Sequence, residues 1–259
     1  MAAAFAAPTA AHGSPPPTVE ADVDLQGVVI TSVGRLGQGP VRLHLRGRQL
    51  AAPHTVAVIE LKPGVTADDV RAADVGGLQD AGEIERLGRL VAGGDVWERH
   101  DHVTTIKARA REHAVVDVTS NDQTMGSFHV DHVAGRAALP RSTATFAMHD
   151  KGFVVPPSLP ADGVLRIVNQ GELAHQAVAW RLNARTSVRG AVQAVGTGRP
   201  LWRYGDATVL SGLVSGHTVN RVEVRLRRGR YLLVSFYNEL APSGRSDIRR
   251  GLVAAMRVH

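Results

Sequence analysis

The chain has 259 residues, of which 44% are hydrophobic and only 4% aromatic, and its formal net charge is +6. That length is enough for two domains with aliphatic cores. The absence of cysteine excludes disulfides, zinc–thiolate sites, thiol nucleophiles and iron–sulfur clusters. No apolar run approaches the roughly 18 residues of a membrane helix, and the basic residues are spread along the chain, which argues against nucleic-acid binding.

The N-terminal segment, residues 1–24, is rich in alanine and proline and begins MAAAFAAPTAAHGSPPPT. This composition is typical of the end of a signal peptide followed by a proline-rich spacer. We therefore expect residues 1–24 to be disordered, and the protein to be secreted or associated with the cell envelope. A disordered tail without a targeting role is the alternative.

The first half of the chain, residues 25–130, contains alternating strand patterns. Apolar Val41, Leu43 and Leu45 alternate with charged or polar neighbours, and a period of two with one charged face predicts a half-buried antiparallel strand. Thr66 followed by Asp69 three residues later forms a capping-box pattern that predicts a short helix. Residues 78–91 predict a second helix.

The chain repeats itself at a spacing of about 120 residues, a domain length. Residues 41–61 resemble residues 164–182, so that His54 aligns with His175 and Leu61 with Leu182. Residues 103–122 align with residues 219–239 through one gap, and residues 186–195 provide a helix in the second half. Since such strands pack as two layers, the repeat predicts an all-β chain of two tandem β-sandwiches over residues 25–130 and 143–259, with a linker at residues 131–142.

The second half resembles bacterial exported cupredoxin-like domains, which often occur in pairs. The resemblance rests on three segments: the proline-rich Pro156–Gly163; Asn169-Gln170-Gly171 followed by His175; and Leu226-Arg227-Arg228-Gly229-Arg230-Tyr231 before an apolar run. It implies a tandem pair of cupredoxin-like Greek-key β-sandwiches. It reaches residues 25–130 mainly through the internal repeat.

The chain departs from this family at the copper ligands. A blue-copper site needs two imidazoles, a thiolate and usually a weak axial thioether. The resemblance places His175 at the first imidazole, Ser235 at the cysteine, Asp247 or a neighbour at the second imidazole, and Leu252 at the methionine. In the first half His54 remains and Val118 takes the cysteine position. We therefore expect no copper cofactor, and a vestigial pocket formed by His175, Ser235 and Asp247.

Catalytic motifs are absent from the sequence. It contains no Gly-x-Ser-x-Gly elbow, no His-Glu-x-x-His and no phosphate loop. We expect a non-enzymatic binding or scaffold module of the envelope, with a protein or small molecule as its partner and no nucleic acid. His54 and His175 are expected to be buried and hydrogen-bonded to backbone.

Two alternatives remain open. One is a copper-handling protein that binds the metal through clustered histidines, namely His12, His100, His102, His129 and His132. The other is an enzyme with an unrecognised site, which a deep polar pocket would favour. Fold analogy supports neither activity by itself.

Overall fold

The computed structural model describes residues 14–73, 81–119, 125–197, 203–235 and 252–259. The first half contains, in order, β1 Thr18–Asp24, β2 Gly27–Val33, β3 Gly37–Gly47, β4 His54–Leu61, α1 Ala67–Ala72, α2 Ala81–Leu87, β5 Gly88–Val96, β6 His102–Ala108, β7 Glu112–Asp117 and β8 Met125–His129. The rest comprises β9 Asp131–Ala134, β10 Ala144–His149, β11 Gly152–Val154, β12 Ser158–Leu159, β13 Asp162–Asn169, β14 His175–Leu182, α3 Val188–Gly196, β15 Gly205–Val214, β16 Val219–Arg225, β17 Gly229–Val234 and β18 Val253–Val258.

Three sheets build two sandwiches that share one layer. The large sheet has nine strands in the order β11-β10-β13-β16-β6-β3-β1-β2, with β9 added beside β3. A four-stranded sheet, β5-β4-β7-β8, faces the first half of it, and a five-stranded sheet, β12-β18-β17-β14-β15, faces the second half. The prediction of an all-β chain with two tandem β-sandwiches is confirmed.

The cores follow from the alternating sequences. Val41, Leu43 and Leu45 of β3 are buried in the first sandwich, and Leu165 and Ile167 of β13 are buried in the second. The charged residues between them point to the other face of the large sheet. Smaller apolar clusters seat α1 and α2 on one small sheet and α3 on the other.

The internal repeat appears in the structure as a strand-by-strand correspondence. Strands β1 to β8 match β10, β11 and β13 to β18, and both β1–β3 and β10–β13 pair in parallel. The two halves join through antiparallel β6 and β16, where Thr105 pairs with Arg221. Since the repeat aligns those same two residues, an approximate two-fold axis passes through this pair.

Three expectations about element boundaries are corrected. Residues 18–24, assigned to the disordered tail, form β1, because buried Val19, Ala21 and Val23 alternate with polar residues. Residues 131–134, assigned to the linker, form β9, which pairs with the start of β3. The helix expected over residues 78–91 ends at Leu87, since β5 begins at Gly88 and pairs with β4.

Two helix predictions are confirmed. Thr66 caps α1 through the full capping box, in which Thr66 and Asp69 satisfy each other's backbone N–H groups. The helix predicted at residues 186–195 is α3, capped by the Ser187 hydroxyl. Within the part of the chain that the structure describes, no helix is long and apolar enough to cross a membrane.

Candidate functional site

His175 opens β14 and is completely buried. Its Nε2 lies 3.0 Å from Oδ1 of Asp150, in the turn between β10 and β11. The Asp150 carboxylate also accepts hydrogen bonds of 3.2 Å from the backbone N–H groups of Glu172 and Leu173. Burial raises the pKa of Asp150, but the hydrogen bonds from His175 and the two amides outweigh it and lower the pKa below its usual range. The imidazole therefore has an ionised carboxylate as partner.

The Asn-x-Gly segment explains how this pair is held. Asn169 donates from Nδ2 to the carbonyls of Leu173 and Val214, at 2.8 and 2.9 Å, and its Oδ1 accepts from the N–H of Gly171. A Cβ atom on Gly171 would overlap the Asp150 carboxylate, so glycine is required there. Sequence analysis missed Asp150, because an aspartate in a hairpin has the appearance of an ordinary turn residue.

Ser235 follows β17, the strand paired with β14, and is completely buried. Its Oγ accepts a hydrogen bond of 3.4 Å from the N–H of Gln176. The structure thus brings Ser235 and His175 to the same end of the second sandwich. Asp247 lies outside the described residues, so the three-residue pocket stays a prediction.

The first sandwich has a second histidine–carboxylate pair. His54 Nδ1 lies 2.6 Å from Oδ2 of Asp117, which is buried and whose Oδ1 accepts from the N–H of Thr119. His54 and His175 are therefore bonded to carboxylates, where backbone partners were expected.

The strand register corrects the residue expected at the cysteine position of the first half. Val58 and Ala179 each lie four residues after the aligned histidines, His54 and His175. Val58 pairs with Val115, and Ala179 pairs with Leu233. Val115 and Leu233 are therefore counterparts, and two residues after them lie Asp117 and Ser235. Asp117, not Val118, is thus the counterpart of Ser235. The alignment was one residue out because the apolar runs of the two strands match almost equally well at either shift, whereas backbone pairing admits one register.

A type 1 copper centre does not fit these residues. It requires a thiolate together with two imidazoles, and the chain has no cysteine. Each half offers one imidazole, His54 or His175, which is already hydrogen-bonded to a carboxylate. In the second half the hydroxyl of Ser235 takes the place of the thiolate.

The predicted histidine clusters do not converge within the described ranges. No group of three or more His, Asp or Glu side chains there could hold a metal ion. His102 lies opposite Leu45 of β3, whereas β9, which carries His132, pairs with the other end of β3 at Gly37. Eight strand residues separate these ends by roughly 25 Å. His12 lies outside the described residues.

A cavity of about 670 Å³ lies between the two halves, where β6 begins beside the end of β16. Its rim is polar: His44 Nε2 lies 2.8 Å from Asp101, and Arg42 donates to both Glu223 oxygens at 2.8 and 3.3 Å. Apolar side chains complete the lining, among them Val209, Leu210 and Val224.

His102 is the buried polar residue of this cavity. Its ring lies so close to Gly94 that a Cβ atom there would collide with it. Nε2 is buried and has no hydrogen-bond partner among the described residues. Burial, with a smaller contribution from the charge of His100, lowers the pKa of His102 to about 4, so the imidazole is neutral at pH 7. His100 itself stacks on Trp97, with ring centroids 3.6 Å apart.

The two halves differ at one pair of repeat counterparts near the junction. Arg89 of β5 donates from Nη2 to the carbonyls of Gly216 and His217, at 3.3 and 2.5 Å. Arg89 pairs with Glu60, just as Asp206 of β15 pairs with Arg181. Asp206, with its shorter side chain, is therefore the repeat counterpart of Arg89. Sequence patterns gave no signal for this difference.

No protein-family model and no curated protein matches the chain. Among solved structures, it is similar to the reduced auracyanin of Roseiflexus castenholzii (12% identity, TM-score 0.29, covering 46% of this chain and 99% of that one). It is also similar to the copper nitrite reductase of Nitrosomonas europaea (10% identity, TM-score 0.26, covering 93% of both chains). Auracyanin A, a blue copper protein of Chloroflexus aurantiacus, matches at 15% identity and a TM-score of 0.26, covering 44% of this chain and 98% of that one.

These likenesses concern the fold alone. The architecture of two β-sandwiches rests on the strand topology described above. At such identities the likenesses carry no information about activity.

Proposed function

We propose that this chain is a non-enzymatic, exported binding protein of the cell envelope, whose two cupredoxin-like units hold no type 1 copper. The observation that carries the proposal is the cavity at the junction of the two halves. Concave sites between structural units, with an apolar lining and a few placed polar groups, are the usual location of small-molecule ligands.

The polar groups of the cavity favour binding over chemistry. His44 and Asp101 satisfy each other, as do Arg42 and Glu223. The neutral imidazole of His102 lines the cavity, but its Nε2 is buried beneath the cavity surface. A small molecule that covers the apolar lining and contacts the polar rim is the ligand class that we expect. The alanine- and proline-rich N-terminal segment supports export.

The test is ligand capture with a cavity-filling variant. Thr208 lines the cavity from β15, and its neighbour Ala207 is exposed and does not line it. Thr208→Trp fills the cavity, and Ala207→Trp adds the same side chain beside it. Each protein is incubated with the small-molecule fraction of a bacterial envelope extract, and retained compounds are identified by mass spectrometry after ultrafiltration.

The proposal expects at least one compound that wild type and Ala207→Trp retain and Thr208→Trp releases. If all three proteins retain the same compounds, or none retains any, the cavity is not a binding site. Turnover of a retained compound would contradict the non-enzymatic assignment.

A further inference from the structure

Two arginines face each other on the outer side of the large sheet. Arg166 of β13 and Arg221 of β16 are a cross-strand pair. Their neighbours Leu165, Ile167 and Val222 are buried in the core of the second sandwich, so both guanidinium groups lie on the opposite face. Both arginines are half-buried.

Like charges directly opposite each other destabilise a sheet, and no carboxylate among the described residues forms an ion pair with either arginine. Glu223, two residues from Arg221, forms its ion pair with Arg42 instead. Within the described ranges neither Arg166 nor Arg221 has an ion-pair partner, and Nε of Arg221 is buried with no hydrogen-bond partner. Burial, and then the charge of Arg166, lowers the pKa of Arg221. The arrangement costs stability and offers unused donors.

We propose that Arg166 and Arg221 form a binding site for a tetrahedral oxyanion of the phosphate or sulfate class. A guanidinium group binds such anions through two parallel N–H···O hydrogen bonds. A tetrahedral dianion presents a separate edge to each of two guanidinium groups and matches their double charge, whereas a carboxylate has one edge and one charge. Neither arginine lines the junction cavity, so the site is independent of the proposed function.

The experiment measures anion binding by calorimetry and thermal unfolding of the full chain. Sodium phosphate, sulfate and acetate are compared with chloride at matched ionic strength. The variants are Arg166→Gln and Arg221→Gln. Arg189→Gln is the control, since it removes the same charge from an exposed position on α3, which packs on the five-stranded sheet and not on the large sheet.

We expect saturable binding of phosphate and sulfate, with a rise in melting temperature that acetate does not produce. Each site variant weakens phosphate binding by about tenfold or more, as the loss of charge-assisted hydrogen bonds requires, and Arg189→Gln leaves it unchanged. In chloride alone Arg166→Gln melts no lower than wild type, because it relieves repulsion. Glycerol phosphate extends the series: tighter binding than inorganic phosphate indicates a phosphate group on a larger molecule, and equal binding indicates the free oxyanion.

Three results would overturn the proposal. The first is that acetate stabilises the protein as much as phosphate does. The second is that the control variant loses as much phosphate affinity as the site variants. The third is that both site variants bind phosphate as tightly as wild type does. Arg166→Gln is expected to fold at least as well as wild type. If that variant is unfolded in chloride, the claim that the two arginines repel each other is wrong.

Discussion

The contact between β5 and β15 predicts a large effect from a small change, Gly212→Ala. These two strands are repeat counterparts and pack against each other at the junction. An added Cβ on Gly212 would lie 2.6 Å from the carbonyl carbon of Gly93 and 2.7 Å from the nitrogen of Gly94. Ordinary contact begins at 3.4 Å, so the backbones must separate by roughly 0.8 Å, and no side-chain rotation relieves the overlap.

Overpacking of this kind costs about 1–3 kcal/mol in free energy of unfolding. For a chain of this size it lowers the melting temperature by about 3–10 °C. Urea denaturation and calorimetry measure both quantities. Gly34→Ala is the control, because nothing lies within 4 Å of its added Cβ, and its effect should stay within about 0.5 kcal/mol. If Gly212→Ala is as stable as Gly34→Ala, the two halves do not pack as described.

Three further predictions concern local interactions. His54→Ala leaves the carboxylate of Asp117 buried without its imidazole and should lower the free energy of unfolding by about 3 kcal/mol. Arg71→Ala breaks the exposed pair with Asp68 and should lower it by less than about 0.5 kcal/mol. Equal urea midpoints for the two variants would refute the difference. Thr66→Ala removes the α1 capping box and should cost about 1 kcal/mol, measured by thermal unfolding; an unchanged melting temperature would contradict it. Burial is the main reason that the pKa values of His102 and His113 are about 4 in the folded chain, against about 6.5 unfolded. The free energy of unfolding should therefore be highest above about pH 6.5 and fall by up to about 3 kcal/mol per histidine as the pH drops to 4. In urea titrations across this range, His113→Phe should make the fall smaller. An unchanged slope of unfolding free energy against pH would refute this prediction.

Local patterns in the sequence predicted the local structure. The alternation around Val41 and the Thr66–Asp69 capping box depend on residues close together in the chain, and the structure contains both. The same alternation was present at Val19, Ala21 and Val23, where the proline-rich composition of the preceding residues masked it.

The site depends on residues far apart in the chain, which such patterns do not specify. Asp150 meets His175 only because β10 pairs in parallel with β13. Asp117, not Val118, is the repeat counterpart of Ser235 because hydrogen bonding fixes the register of β4 and β7. The junction cavity is lined by residues from both halves of the chain, and the equivalence of Arg89 and Asp206 beside it follows only from strand pairing.

Metal affinity tests the central claim most directly, because it separates a copper-free binding protein from a copper-handling one. Untagged full-length protein is titrated with Cu(II), Cu(I) and Zn(II) by calorimetry, with the double variant His100→Asn, His102→Asn as the matched control. The proposed function predicts no site tighter than about 1 μM and no difference between the two proteins. A stoichiometric site tighter than that in the wild type, lost in the double variant, would contradict it and identify the histidines of the junction as metal ligands.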